Sequence, residues 1–434
     1  MIGPASGAPT ASRRRATLVG ALSLLLAACG EPDPPAAIAP IVRDSGGIVI
    51  VENVAPVWND ETAWRLSDTP VLQLGAGADG DVDQQFASIR SVRFMPDSTV
   101  LVADAANFEL AFFDLRKRRV RSAGGDGRGP GELGPDLMRN VLRCTGDTIF
   151  VSGYDRVTVY TPAGEYVRTF RPQAPRGIAV PRWCVGNHLL TRTRHGPRPT
   201  SPGAYRDSMV IGLYSTDGDF LGSSDPLPSG DGSWIRNAEG LGYYWTPFGR
   251  HVSLATTDYV MAMGIGDAFE VTVRDAAGVV RRIIRAAGEA RPIAPADVER
   301  YREFVFSVTS GPELRQQIEA ELETPDGPAT LPAFAELIFD EAGNLWARRY
   351  DHFDAIAFFN DEQLPGTTDV RVRDVPDTPR TWTVFDPTGA LLGNVVTTPG
   401  FVVHEIGDDW MIGVWRDSLD VEHVRMYRIV KPRA

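Results

Sequence analysis

The stretch Ser91–Gly124 (SVRFMPDSTVLVADAANFELAFFDLRKRRVRSAG) is the unit from which the rest of the chain is built. It contains four short β-runs, Ser91–Phe94, Thr99–Ala103, Phe108–Phe113 and Arg119–Ser122. The turns between them, MPDS, DAAN and DLRK, use residues that bend the backbone at low cost. Four strands and three turns make an up-and-down antiparallel sheet. Apolar residues fall on both faces of that sheet, so it has to stack against others like itself.

Five more units follow. The second has Val141–Arg143, Thr148–Ser152, Val157–Tyr160 and Tyr166–Phe170, and the third Arg182–Val185, His188–Arg192, Val210–Ser215 and Asp219–Gly222. The fourth has Val252–Ala255, Tyr259–Met263, Phe269–Arg274 and Val279–Arg285, and the fifth Ala335–Phe339, Leu345–Tyr350, Trp382–Phe385 and Leu391–Thr397. The sixth, Phe401–Glu405, Trp410–Trp415 and Val421–Val430, stops one strand short. An open strand edge is a liability, and a ring of sheets can close it by borrowing a strand from the other end of the chain. The strand-like Trp64–Leu74 stands where that strand is needed.

The predicted fold is therefore all-β: a six-bladed β-propeller over residues 47–434, closed by an N-terminal strand. Between blades four and five, Val298, Tyr301, Phe304, Val305 and Val308, then Leu314, Ile318 and Leu322 after Gly311-Pro312, have helical spacing. They predict a small helical insertion at about residues 295–323, made of two short helices.

The run VADAANFELAFFD resembles the NHL-type blade, with Asp and Asn at its turn and an aliphatic-aromatic run after it. With AGGDGRGPGEL (123–133), LIFDEAGNLWARRY (337–350), WTVFDPTGALLG (382–393) and VEHVRMYRIV (421–430), the chain resembles a family of bacterial six-bladed β-propeller lipoproteins. The resemblance spans about residues 44–434. It implies a fold and brings no catalytic residue with it.

The N-terminus carries an address. Arg13–Arg15 form a basic region, and Ala16–Ala28 is an apolar run too short to span a bilayer stably. Leu26-Ala27-Ala28-Cys29 resembles the lipobox of bacterial lipoproteins, which implies a signal peptide at 1–28 and lipidation of Cys29. Residues 29–46, rich in Pro and Ala, read as a flexible tether. The expected location is the cell envelope, lipid-anchored and facing the periplasm or the surface. The lipid is then the only membrane contact. Removing three arginines takes the net charge from −12 to −15, which argues against nucleic acid as a partner. Cys144 and Cys184 occupy matching repeat positions in a compartment that permits disulfides. Spacing leaves both a disulfide and two buried thiols open.

With strands lettered a to d from the axis outward, the short turns are all a–b or c–d and share one rim. Four longer segments, Thr193–Ser208, Ser223–Arg250, Ala287–Pro332 and Asp351–Arg380, are all b–c loops or crossings between blades. They predict a canopy on the other rim, over blades three to five, where a rigid scaffold would carry function. Candidate ligand-binding residues there are Arg192, Arg194 and His195, then Trp234, Tyr243, Tyr244, Trp245 and Arg250, then Arg349, Tyr350 and His352. Gathered aromatic and guanidinium groups suit a sugar, a peptide or an anionic small ligand. The bland alternative is that the aromatics pack the canopy onto the blades. Arg128 and Arg348 are further candidates for facing the axis.

Other motifs are weak. Gly124–Gly131 lacks the Lys-Ser/Thr of a phosphate loop and precedes a strand, so it reads as a structural turn. Asp79, Asp81 and Asp83 have calcium-loop spacing, but Gln84 and Arg90 stand where an EF-hand needs Gly and Glu. No cofactor is predicted, and a looser Ca²⁺ site stays open. The histidines are scattered, with no HExxH, and no GxSxG occurs. The leading expectation is a non-catalytic, membrane-anchored module that binds a small ligand or an envelope protein. The alternative is a propeller enzyme, a lactonase, lyase or hydrolase, with a metal ion held at the axis by Asp, Glu and Asn from several blades. A third reading is a structural partner in an envelope assembly.

Overall fold

The computed structural model describes residues 39–75, 84–135, 137–175, 177–196, 199–237, 240–288, 290–308, 327–351 and 378–432, with single positions 7, 315, 316, 319, 322 and 354. Six antiparallel sheets form a closed ring, and their first strands touch one another in chain order around it. These inner strands are Ile89–Phe94, Asn140–Arg143, Pro181–Val185, Ser253–Thr256, Phe334–Phe339 and Phe401–Ile406. The six-bladed propeller expected from the repeats is the fold.

Strand alternation explains why the sheets stack. In Val100–Asp104, Val100 and Val102 pack into the seam with blade 6, among Ile412, Val414 and Val424. Leu101 and Ala103 point the other way, into the seam with blade 2, beside Val141, Ile149 and Val151. The same division recurs around the ring, and each seam holds its own buried cluster. A strand apolar on both faces is stable only with a neighbour on each side.

The turns are fixed by their first residue. Asp114 accepts hydrogen bonds from the backbone N–H of Arg116 and Arg118, and Asp275 does the same for Ala277 and Val279. Asp386 accepts from Thr388 and Ala390, and Asp417 from Leu419 and Val421. A short carboxylate that pairs two turn amides favours a bend over continued strand. Asp104, buried, ties the b–c loop of blade 1 to the preceding crossing by accepting from Ala87, Ser88, Ala106 and Asn107. The Asp and Asn of the NHL-like run thus have a structural task.

The N-terminal region closes blade 6 by two short strands, Arg65–Leu66 and Leu72–Leu74, both antiparallel to Glu422–Val430. Pro70 lies between them and cannot donate to the ladder. Ahead of them the chain forms a strap. Ile48–Asn53 pairs in parallel with Val280–Ala286, the outer strand of blade 4, and Ile41–Ser45 folds back on it as an exposed sixth strand. The flexible tether expected to reach residue 46 is thus corrected at its end. Residues 41–45 pair because β-branched Ile41 and Val42 face a partner strand of the same character. Asn53 donates to the carbonyls of Arg285 and Gly389 and accepts from the N–H of Leu391, joining blades 4 and 5. Val57 and Trp58 then donate to Leu391 and Leu392 at the edge of blade 5.

Blade 3 departs most from expectation. Gly203–Ser215 is thirteen residues long and pairs with His188–His195 through the segment expected to be an insertion. The next segment is a hairpin, Leu227–Asn237 with Gly240–Trp245, added to the same sheet. The canopy over this blade is a sheet extension. Helix α1 (Pro295–Val308) confirms the insertion between blades four and five, with Pro at its first position and Tyr301 packed on Phe248. Most of the second expected helix lies outside the described residues.

Cys144 and Cys184, on adjacent inner strands, form a disulfide with their Cα atoms 5.7 Å apart. Reducing it, or replacing Cys184 by Ser, is expected to cost about 2–4 kcal/mol, read as a lower urea midpoint in reducing buffer. Leu74, fully buried in the closing strand, should cost about 2–5 kcal/mol as Leu74→Ala, in the same assay. A wild-type midpoint for Leu74→Ala would mean that the ring does not depend on this closure.

Candidate functional site

The six inner strands surround a central channel of about 1100 Å³. Its open end is bounded by a–b turns, among them Cys144–Asp147, Thr257–Tyr259 and Asp340–Gly343. The channel therefore opens on the rim of short turns, opposite the canopy. Toward the canopy end lie Arg192, His251 and Glu336. Each inner strand is apolar on its seam faces, yet most carry a charged or imidazole side chain that reaches the axis: Arg93, Arg143, Arg182, Glu336, His404 and Glu405.

At the short-turn end these side chains are locked together. Arg143 donates through Nη1 to the carbonyl of Phe94 at 2.6 Å and pairs through Nη2 with Glu405 at 2.6 Å, with Asp147 3.6 Å from Nε. The other oxygen of Glu405 accepts from the N–H of Phe94 at 2.7 Å. Arg93 donates to the carbonyl of His404 at 3.1 Å. His404 accepts the N–H of Val92 at Nδ1, 3.2 Å away, so its hydrogen sits on Nε2. Burial, then the charge of Arg93, pushes the His404 imidazole down to about 3. Burial also lowers Arg93, with Glu405 raising it and Arg143 lowering it further. Burial and the nearby Glu405 push the Glu341 carboxyl up.

A second cluster stands at the canopy end. Arg348 binds Asp354 through both Nη atoms, at 3.0 and 2.8 Å, and Glu336 through Nε at 2.9 Å. Burial disfavours the guanidinium charge, but Asp354 and Glu336 outweigh it and raise Arg348. Burial likewise opposes the Asp354 carboxylate, and Arg348 holds it low nonetheless. His251 is buried, and its imidazole is pushed to about 3 by burial and by Arg192 against the pull of Asp354. Tyr350 is buried, with a hydroxyl that has no partner among the described residues and is pushed well above its ordinary range by burial and by Asp354.

The canopy residues proposed from sequence do not converge. Arg192 alone among them lines the channel. Arg194 is paired with Asp207 at 2.5 Å and lies over the ring of buried Trp234. His195 is exposed at the end of its strand. Arg250 is held by Asp267 at 2.9 Å and by Thr330 at 3.0 Å, beside a small 260 Å³ pocket that Arg206 and Asp231 also line. Arg349 is exposed, whereas Tyr350 is core. Tyr243, Tyr244 and Trp245 fall on the added hairpin, and His352 lies outside the described residues. Of the arginines there, Arg194 and Arg250 are each paired with a carboxylate, Arg349 is exposed and Arg192 turns to the channel, so the four do not form one guanidinium-rich shelf.

Arg128 does not face the axis; it pairs with Asp155 at 2.8 Å on the surface. The Gly-rich turn is structural: the Glu132 carboxylate accepts the N–H of Gly129, and a Cβ on Gly127 (φ +143°) would collide with that carboxylate. Asp79, Asp81 and Asp83 lie outside the described residues. Among the described residues, no three His, Cys, Asp or Glu side chains are gathered to hold a metal. Sequence reasoning missed Arg93, Arg143, His404 and Glu405 as a group. The available signal was a polar side chain in the first strand of successive repeats, each set in an apolar run.

No family model matches the chain, and no curated protein matches it in sequence. Solved structures resemble it in fold. One is a candidate exported protein of Bacteroides fragilis, 10% identical, covering 88% of this chain and 100% of its own, with a TM-score of 0.44. Another is a duf4221 family member of Bacteroides vulgatus, 10% identical, covering 86% and 100%, also at 0.44. A gluconolactonase of Xanthomonas campestris is 9% identical, covering 86% and 99%, at 0.34. Among the described residues no helix is long and apolar enough to cross a membrane.

Two histidines, His251 and His404, set a pH dependence. Both stay neutral in the folded protein down to about pH 3, whereas an unfolded imidazole takes a proton near pH 6.5. The unfolded chain therefore binds more protons between those values, and stability falls as pH drops below about 6.5, by up to about 1.4 kcal/mol per unit for each histidine. Melting at pH 7.0 and 5.5 should show a larger loss for wild type than for His251→Asn. Equal losses would contradict the assignment.

Proposed function

We propose that this protein is a lipid-anchored, extracytoplasmic binding module. Cys29 carries the anchor, and the propeller takes a small ligand, or a side chain of an envelope partner, into its axial channel. The observation that carries this reading is the channel itself. Its polar groups come from all six blades and are held in place by the backbone, as in the tie of Arg143 and Glu405 to Phe94. A site whose donors are fixed before the ligand arrives loses little ordering entropy on binding.

The channel carries both signs: Arg93, Arg143, Arg182 and Arg192 line it beside Asp147, Asp258, Glu336, Asp340, Glu341 and Glu405. Of these acids, Asp147 and Glu405 are held by Arg143 and Glu336 by Arg348, so they are engaged by guanidinium groups before any cation arrives, which favours a binding role over a metal-centred one. Trp183 and the exposed ring of Tyr259 stand along the channel and its mouth, where they can cover the apolar body of a ligand. The Cys144–Cys184 disulfide suits an oxidising compartment, in keeping with export.

The test is a thermal-shift and calorimetric screen of carboxylates, sugars, short peptides and lactones against the purified protein, with turnover assayed in parallel. A ligand is expected that raises the melting temperature and is not consumed. Ala335→Trp puts bulk into the channel from a partly exposed inner-strand position and should abolish its binding while the fold persists. Turnover of a lactone or other substrate, or binding that ignores Ala335→Trp, would overturn the proposal.

A further inference from the structure

Arg93 differs from Arg143 and Arg348. Arg143 is matched by Glu405 and Asp147, and Arg348, just behind the wall, by Asp354 and Glu336. Among the described residues Arg93 has one hydrogen-bond partner, the carbonyl of His404, which takes Nη1. Its Nε is buried with no partner among them, and none of their carboxylates lies within ion-pair distance of it. The nearest candidate, Glu405, already has one oxygen on Arg143 and the other on the N–H of Phe94.

A guanidinium removed from bulk water is normally paired, because leaving it unmatched costs several kcal/mol. The edge formed by Nε and Nη2 is the one that engages oxyanions side-on, and here no described residue supplies it with an acceptor. Beside it, His404 uses Nδ1 as an acceptor for Val92 and so offers Nε2–H as a donor. Both side chains line the channel at its short-turn end, where Tyr259 is 79% exposed at the mouth.

We infer that Arg93 and His404 form an oxyanion subsite in the channel, which takes the carboxylate, sulfate or phosphate group of a ligand whose body lies toward Tyr259. The inference deepens the binding role proposed above and rests on it. Arg143 supports the subsite from behind: it occupies Glu405, so that the carboxylate cannot turn to Arg93. Of the nearby acids, Glu405 and Asp147 are both held on Arg143, and Glu341 takes a backbone hydrogen bond from Asp408.

The experiment is calorimetric titration of the purified full chain with sulfate, inorganic phosphate, benzoate and phenyl phosphate at low and high ionic strength. Binding is expected, with the ranking among the three anion types naming the preferred oxyanion. Arg93→Gln should weaken it about tenfold or more, the worth of one charge-assisted hydrogen bond. Arg128→Gln, on the outer surface, should leave it unchanged. A measurement on wild type needs no variant to fold: phenylglyoxal should modify Arg93, and the bound anion should slow that reaction but not the reaction at Arg128, read by peptide mass spectrometry.

Anion affinity that survives Arg93→Gln, or Arg93 left unprotected by saturating anion, overturns the inference. If neutral solutes bind in a manner lost with Ala335→Trp while no anion binds, the channel remains the ligand site and the oxyanion subsite falls. If no ligand of any kind responds to Ala335→Trp, the binding role falls with it.

Discussion

The fold depends on one constraint: sheets that are apolar on both faces must have a neighbour on each side. Val100 and Val102 commit blade 1 to blade 6, and Leu101 and Ala103 commit it to blade 2. Once every blade is bound in this way, the only stable arrangement is a ring, and a ring leaves no face exposed. Everything else serves that closure. Aspartates at the turns set strand length, and Asn53 joins two blades through backbone groups that would otherwise lack partners. Leu72–Leu74 supplies the strand missing from the C-terminal blade.

Blade number, blade boundaries and closure were legible because period-two hydrophobicity and turn chemistry are local signals, repeated six times. The helix near residue 295 was legible for the same reason at a different period. Blade 3 was harder. Thr193–Ser208 and Ser223–Arg250 are rich in Gly, Ser and Pro and read as loops, but pairing with a neighbouring strand overrode that local preference. The site was least legible. Arg194, Trp234 and Arg250 have the right chemistry for recognition, but their partners, Asp207 and Asp267, are distant in sequence and invisible to spacing. What separates a binding arginine from a structural one is whether a carboxylate already holds it, and that is a property of three dimensions.

The same distinction governs the channel, which carries both signs. Four arginines line it beside Asp147, Asp258, Glu336, Asp340, Glu341 and Glu405. Asp147 and Glu405 are held on Arg143, and Glu336 on Arg348. Local potential inside a narrow channel is set by the nearest groups, since distant charge is screened within about 10 Å in ordinary salt. The character of the axis at any depth therefore follows from which charges are already paired there, and the chain's net charge of −12 says little about it.

The strap along blades 4, 5 and 6 gives the N-terminal end a mechanical character. Tension applied ahead of Ile41 reaches the hairpin of Ile41–Ser45 with Ile48–Asn53 first, and then the parallel ladder on Val280–Ala286. The hairpin strand is wholly exposed and held by its ladder to Ile48–Asn53 and the Arg43–Glu52 pair, so it can peel away one bond at a time without disturbing a seam. Asn53 and the backbone bonds of Val57 and Trp58 stand between it and the strands that complete blade 6. The outer hairpin is thus a sacrificial element in series with the closure, and a pull on the leading end spends itself there before it can open the ring.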